Sequence, residues 1–102
     1  MAREKKTVKL QRPFEGGNGP VTEVVVQEPS SMEYFALGDP QTWVRTKGGT
    51  ALVDNDEAIA KYVERLIVEP DPVLAMRNMS VIDAIAVKAA VLGFFQAPTE
   101  SK

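Results

Sequence analysis

One hundred and two residues, 44% apolar and 25% charged, make a single domain with the balance of an ordinary globular protein. The chain holds neither cysteine nor histidine, which excludes disulfides, thiolate metal sites and Ser–His or Cys–His dyads; no enzyme, cofactor or metal is expected. Residues 1–12 carry five basic groups against one acidic (+4) and residues 13–102 carry seven against thirteen (−6), an acidic body that argues against nucleic acid as the main ligand.

Residues 1–6 read as a basic flexible arm, with Arg3, Lys5 and Lys6 as its charges. From residue 7 to 12 the chain alternates: Val8 and Leu10 face one way, Thr7, Lys9 and Gln11 the other. That period of two is the signature of a half-buried strand. Glu15-Gly16-Gly17-Asn18-Gly19-Pro20 reads as a turn. Val21 to Gln27 is rich in β-branched residues and reads as the returning strand of a hairpin over residues 7–27. Two strands alone are marginal in water, so the hairpin needs another element to lie on.

Helices follow. Ser30-Ser31-Met32-Glu33 fits a capping box, and Gly38 with Pro40 ends a helix over about 30–38. Trp43–Thr46 and Thr50–Val53 flank Lys47-Gly48-Gly49, so residues 39–53 form either a second small hairpin or a mobile loop. Asp54–Glu57 opens a helix over about 56–68, whose Ile59, Tyr62, Val63, Leu66 and Ile67 keep helical spacing until Pro70 stops it. Asp71 with Pro72 starts a short helix over 72–78. Ser80 and Asp83 start the last helix, over 81–95, and residues 98–102 read as a flexible tail. Strands first and helices after make the class α+β, with one domain over residues 7–97.

Few of these features carry chemistry. The glycines at 16–19 lack the Lys-Ser/Thr of a phosphate loop and lead into a strand. Asp54, Asp56 and Glu57 lack the glycine and terminal glutamate of a calcium loop and read as helix caps. Glu64 and Asp83 have no second carboxylate placed beside them by the sequence. Trp43, the single tryptophan, reads as a core or interface anchor.

The last helix is the informative element. Twelve of the fifteen residues 81–95 are apolar, and at 100° per residue they surround the axis. As a helix the segment spans about 22 Å, short of the roughly 30 Å hydrocarbon layer, so no membrane span is expected. Ala86, Ala90 and Gly93 make a strip of small residues, Val87, Val91 and Phe94 a second strip, and Val81, Ile85 and Leu92 a third. A helix apolar all round must be covered all round, and a domain of this size has little with which to cover it. Either the chain wraps this helix as its central core, or Val81, Ile85, Val87, Val91, Leu92, Phe94 and Phe95 form a docking surface for a second copy or another protein.

The order of elements also carries a resemblance. Val8-Lys9-Leu10, the glycine turn, Val21-Thr22-Glu23-Val24-Val25-Val26 and Glu28-Pro29 before a short helix resemble the opening of the small tail assembly chaperones of long-tailed bacteriophages. The nearest group is the short E-type tail protein of contractile-tailed phages. Ile59 to Val68, the proline-led helix, and Ser80-Val81-Ile82-Asp83-Ala84-Ile85 running to Leu92-Gly93-Phe94-Phe95 resemble its second half, so the likeness covers roughly residues 7–96. It implies an assembly factor in the cytoplasm of an infected or lysogenic bacterium. Its partner would be the tape measure protein, kept soluble while tail tube subunits assemble around it. It implies no catalytic residue. Two other functions stand beside it: a small self-associating virion component using the last helix, and a nucleic-acid binder using residues 3–12.

Overall fold

A computed structural model describes residues 3–96. Met1, Ala2 and residues 97–102, with the expected tail over 98–102, lie outside the described residues. The fold is α+β. Strands β1 (Lys5–Gly16) and β2 (Gly19–Gln27) form the expected hairpin, longer at both ends than the alternation in residues 7–12 suggests. They close on the two-residue turn Gly17-Asn18, and Gly19 follows with φ 118°, a value that a side chain would strain.

The expected flexible arm over residues 1–6 is corrected where it is described. Lys5 and Lys6 belong to β1. Glu28 donates its backbone N–H to the Glu4 carbonyl at 2.8 Å, and the Arg3 guanidinium lies 3.2 Å from Glu33. Lys6 reaches across the sheet's inner side to the Ala90 carbonyl at 3.1 Å, near the C-terminus of the last helix, and sits 4.1 Å over the Phe94 ring. A cation there complements the helix dipole.

Helix α1 (Ser31–Leu37) begins with the capping box read from sequence: the Glu33 N–H donates to Ser30 Oγ, and the Ser30 N–H donates to the Glu33 carboxylate. Residues 39–53 resolve into the hairpin alternative. Strands β3 (Gln41–Thr46) and β4 (Gly49–Asp54) pair in unbroken register from Gln41↔Asp54 to Thr46↔Gly49. Helix α2 (Asp56–Leu66) is capped by Asn55, whose side chain accepts the Ala58 N–H.

The expected helix over 56–68 ends two residues early, because Ile67–Glu69 forms strand β5. It pairs antiparallel with β2 to complete a three-stranded sheet of order β1-β2-β5. Pro70 disfavours helical backbone at the residue before it, and the free edge of β2 offers the extended segment a partner. Ile67 stays buried, now as a strand residue, so its apolar spacing alone does not tell the two conformations apart. Helix α3 (Pro72–Asn78) starts on Asp71, which accepts the N–H groups of Val73 and Leu74. Helix α4 (Val81–Gly93) stops before the expected 95; Phe94 and Phe95 leave it in a tighter turn bonded to the Val91 and Leu92 carbonyls.

The core lies between the inner face of the three-stranded sheet and helices α2 and α4. Leu10, Val24, Val26 and Ile67 from the sheet meet Tyr62, Leu66, Val87 and Val91 from the helices. Between Lys9↔Glu23 and Phe14↔Val21, residues 10–13 of β1 bulge past the single Thr22 of β2. Pro13 has no N–H to lose there, and the bulge releases the N–H groups of Gln11 and Arg12 from the ladder.

Asp83 of α4 takes both. Gln11 donates to Oδ1 at 2.7 Å and Arg12 to Oδ2 at 3.0 Å, while Ser80 Oγ donates to Oδ2. With 1% of its surface exposed, Asp83 is the buried charged residue among those described. Burial pushes its carboxyl pKa up, but the Gln11 and Arg12 N–H bonds, the Ser80 bond and the Arg12 charge outweigh that and hold it below the ordinary value. A carboxyl that titrates lower in the folded than in the unfolded chain stabilises the fold fully above the usual carboxylate range. That contribution disappears as pH falls through the depressed value. Asp83→Asn puts an amide N–H₂ against backbone donors. It is expected to lower the urea midpoint at pH 7 more than Asp54→Asn does. The gap to the unaltered chain should narrow below about pH 4 when both are followed by circular dichroism.

Candidate docking surface

Helix α4 has one buried face, made by Asp83, Val87 and Val91, which recur every four residues and lie against the sheet and α2. Opposite it stand Val81, Ile82, Ile85, Ala86 and Ala89, all exposed. Val81 keeps 74% of its surface in solvent, Ile85 62% and Ile82 45%. Lys88 leaves the helix sideways and pairs with Asp54 at the base of the β3–β4 hairpin, 3.0 Å apart. The Asp54 carboxyl is held below its ordinary pKa first by the Gln41 amide hydrogen bond and then by Lys88. Both charged side chains of α4 are therefore turned toward the chain itself, and the face turned outward carries no charge. This reverses the usual surface helix, whose polar side faces water.

A shallow apolar groove of 190 Å³ runs between α2, α3 and the start of α4, lined by Ala60, Val63, Met76, Met79 and Ala84. Methionine fills irregular space and repacks readily, which suits a groove that receives side chains of varied shape.

The seven residues expected to meet a partner separate into three groups. Val81 and Ile85 are open and stand together on the outer face. Val87 and Val91 are fully buried in the chain's own core, so their expected partner role is corrected: the sheet and α2 already cover them. Leu92, Phe94 and Phe95 are half-buried against the core; Phe95 meets Tyr62 edge-on with ring centroids 4.8 Å apart, and Phe94 lies under Lys6. The small-residue strip is also partly closed, since a side chain at Gly93 would come within 2.8 Å of the Lys6 ammonium. Ala86 of the small-residue strip is open too, and Ile82, Ala89 and the methionine groove belong to the open surface although the sequence did not single them out. An all-round apolar pattern contains no signal for which face turns outward.

Further apolar surface lies elsewhere. Met32 and Phe35, one turn apart on α1, are each 82% exposed. The β3–β4 hairpin bares Trp43 and Leu52 on one side and Val44 and Val53 on the other. The radius of gyration, 15.1 Å, exceeds the ~13 Å of a compact chain of this length. The basic residues of 3–12 are partly engaged inside the molecule, Arg3 with Glu33 and Lys6 with α4. Among the described residues no helix is long and apolar enough to cross a membrane. The chain matches no protein-family model, no curated protein and no solved structure.

The native chain has no cysteine, so single cysteines report the facing of α4 without background. Ile85→Cys is expected to react with a maleimide at close to the rate of an unfolded peptide. Val87→Cys should react at least about a hundredfold more slowly, because labelling there waits for the fold to open.

Proposed function

We propose that the chain is a non-enzymatic assembly factor whose outward α4 face shields an apolar helical stripe on a larger protein. Following the family resemblance, that larger protein is a bacteriophage tape measure protein in the cytoplasm of the bacterial host. The observation that supports this most is the uncharged outer face of α4, where Val81, Ile82 and Ile85 stand in water while Asp83 and Lys88 are bonded to the chain itself. A helix laid along this face and into the neighbouring groove would bury all three. The acidic body around it adds repulsion between coated partners, which opposes their aggregation. The face is short, about 20 Å along a 13-residue helix, so each contact is modest and reversible. A long partner would be held by many copies.

A second reading, a small self-associating virion component, is favoured by Met32, Phe35 and the two-sided apolar hairpin, which offer contacts beyond α4. Sedimentation over a wide concentration range separates the two: a stable ring favours self-assembly, and a monomer throughout removes it.

Co-expression with the tape measure protein is expected to give a soluble complex, read as tape measure protein in the cleared lysate. Ile85→Asp should abolish that solubility while changing the stability of the free chain by no more than about 0.5 kcal/mol, since the residue is exposed. A tape measure protein that is equally soluble alone, or insoluble in both cases, overturns the proposal.

A further inference from the structure

Away from α4's outer face, an open cleft of 630 Å³ separates the Trp43–Leu52 side of the β3–β4 hairpin from α1 and the turn after α4. Three aromatic side chains line it: Tyr34, Trp43 and Phe95. Trp43 is 69% exposed, an unusual state for the chain's single tryptophan. The carboxylate in the cleft is Asp39. It accepts the Tyr34 hydroxyl on Oδ1 at 2.6 Å and, among the described residues, has no cationic partner. Among the described residues, no lysine or arginine lines the cleft. The nearby carboxylate of Asp54, by contrast, is already satisfied by Lys88 and Gln41.

Aromatic faces attract cations, and a carboxylate beside them adds a charged acceptor. A guanidinium meets both demands at once. It is planar and weakly hydrated, stacks on indole or phenol rings, and donates to a carboxylate through a fixed fork, whereas an ammonium is a compact and strongly hydrated charge. We propose that this cleft binds an arginine side chain of a partner polypeptide, stacked on Trp43 and paired with Asp39. The volume leaves room for the apolar residues beside that arginine to lie against Leu52 and Phe95. This site is separate from the α4 face and does not rest on the tape measure reading.

Trp43 reports binding directly, because no other indole contributes to the emission. Acetyl-Ala-Leu-Arg-Leu-Ala-amide, titrated into the full chain to millimolar concentration, is expected to change Trp43 fluorescence saturably. The same peptide with citrulline, the uncharged isostere of arginine, should not, and the lysine peptide should bind more weakly than the arginine one. Asp39→Asn should weaken arginine-peptide binding at least about fivefold, with circular dichroism unchanged. An absent response, an equal response to citrulline, equal binding of the lysine peptide, or unchanged affinity in a folded Asp39→Asn chain each overturns the proposal. The three-peptide comparison uses the unaltered protein, so it stands even where the variant fails to fold.

Discussion

The arrangement of the whole molecule hangs on one carboxylate. Asp83 sits at the start of α4 and receives the two backbone N–H groups that the β1 bulge releases. Without that acceptor the bulge would leave two partly shielded backbone donors without a partner in the chain. Without the bulge, Asp83 would be a charge with too few partners in the core. Each feature makes the other tolerable, and together they lock the helix to the strand at a single rotational setting.

That setting has a functional consequence. Hydrophobicity alone does not choose a facing for α4, because Val81, Ile82 and Ile85 are as apolar as Val87 and Val91. Asp83 drawn inward and Lys88 drawn sideways to Asp54 select one. The face left over carries no charged side chain and leaves Val81, Ile82 and Ile85 in solvent. A buried polar group here acts as a specificity device: it determines which apolar surface the molecule keeps and which it presents. The α4 outer face, the methionine groove, the α1 pair and the hairpin then give a small chain several apolar contact points around an acidic body.

Much of the local structure was legible from residues close together in the chain. The Ser30–Glu33 capping box, Asp71 at a helix start, and the Gly17-Asn18 turn all act over a few residues, whereas the cap of α2 is Asn55 and the expected cap Asp54 ends β4 instead. Ile67 shows where such reading stops. Its spacing fits the α2 stripe, yet the open edge of β2 recruits it into a strand. Lys6 shows the same from the other end: it reads as a loose basic residue until the C-terminus of α4 is placed beneath it. Of the seven residues expected to meet a partner, Val81 and Ile85 are exposed, whereas Val87 and Val91 turn inward because the sheet and α2 cover them.

The amino-acid sequence by itself determined the α+β class, most of the helix starts, the turn of the first hairpin, and the excess of apolar residues in the last helix. Each of these depends on neighbours within a turn or a pleat. Only the tertiary structure decided which side of α4 is hidden, that Ile67–Glu69 extends the sheet, and that Trp43 and Asp39 share a cleft. These outcomes depend on meetings between distant segments, such as the bond that joins Gln11 to Asp83 across 72 positions. A pattern of apolar residues that is uniform around a helix cannot encode such a meeting.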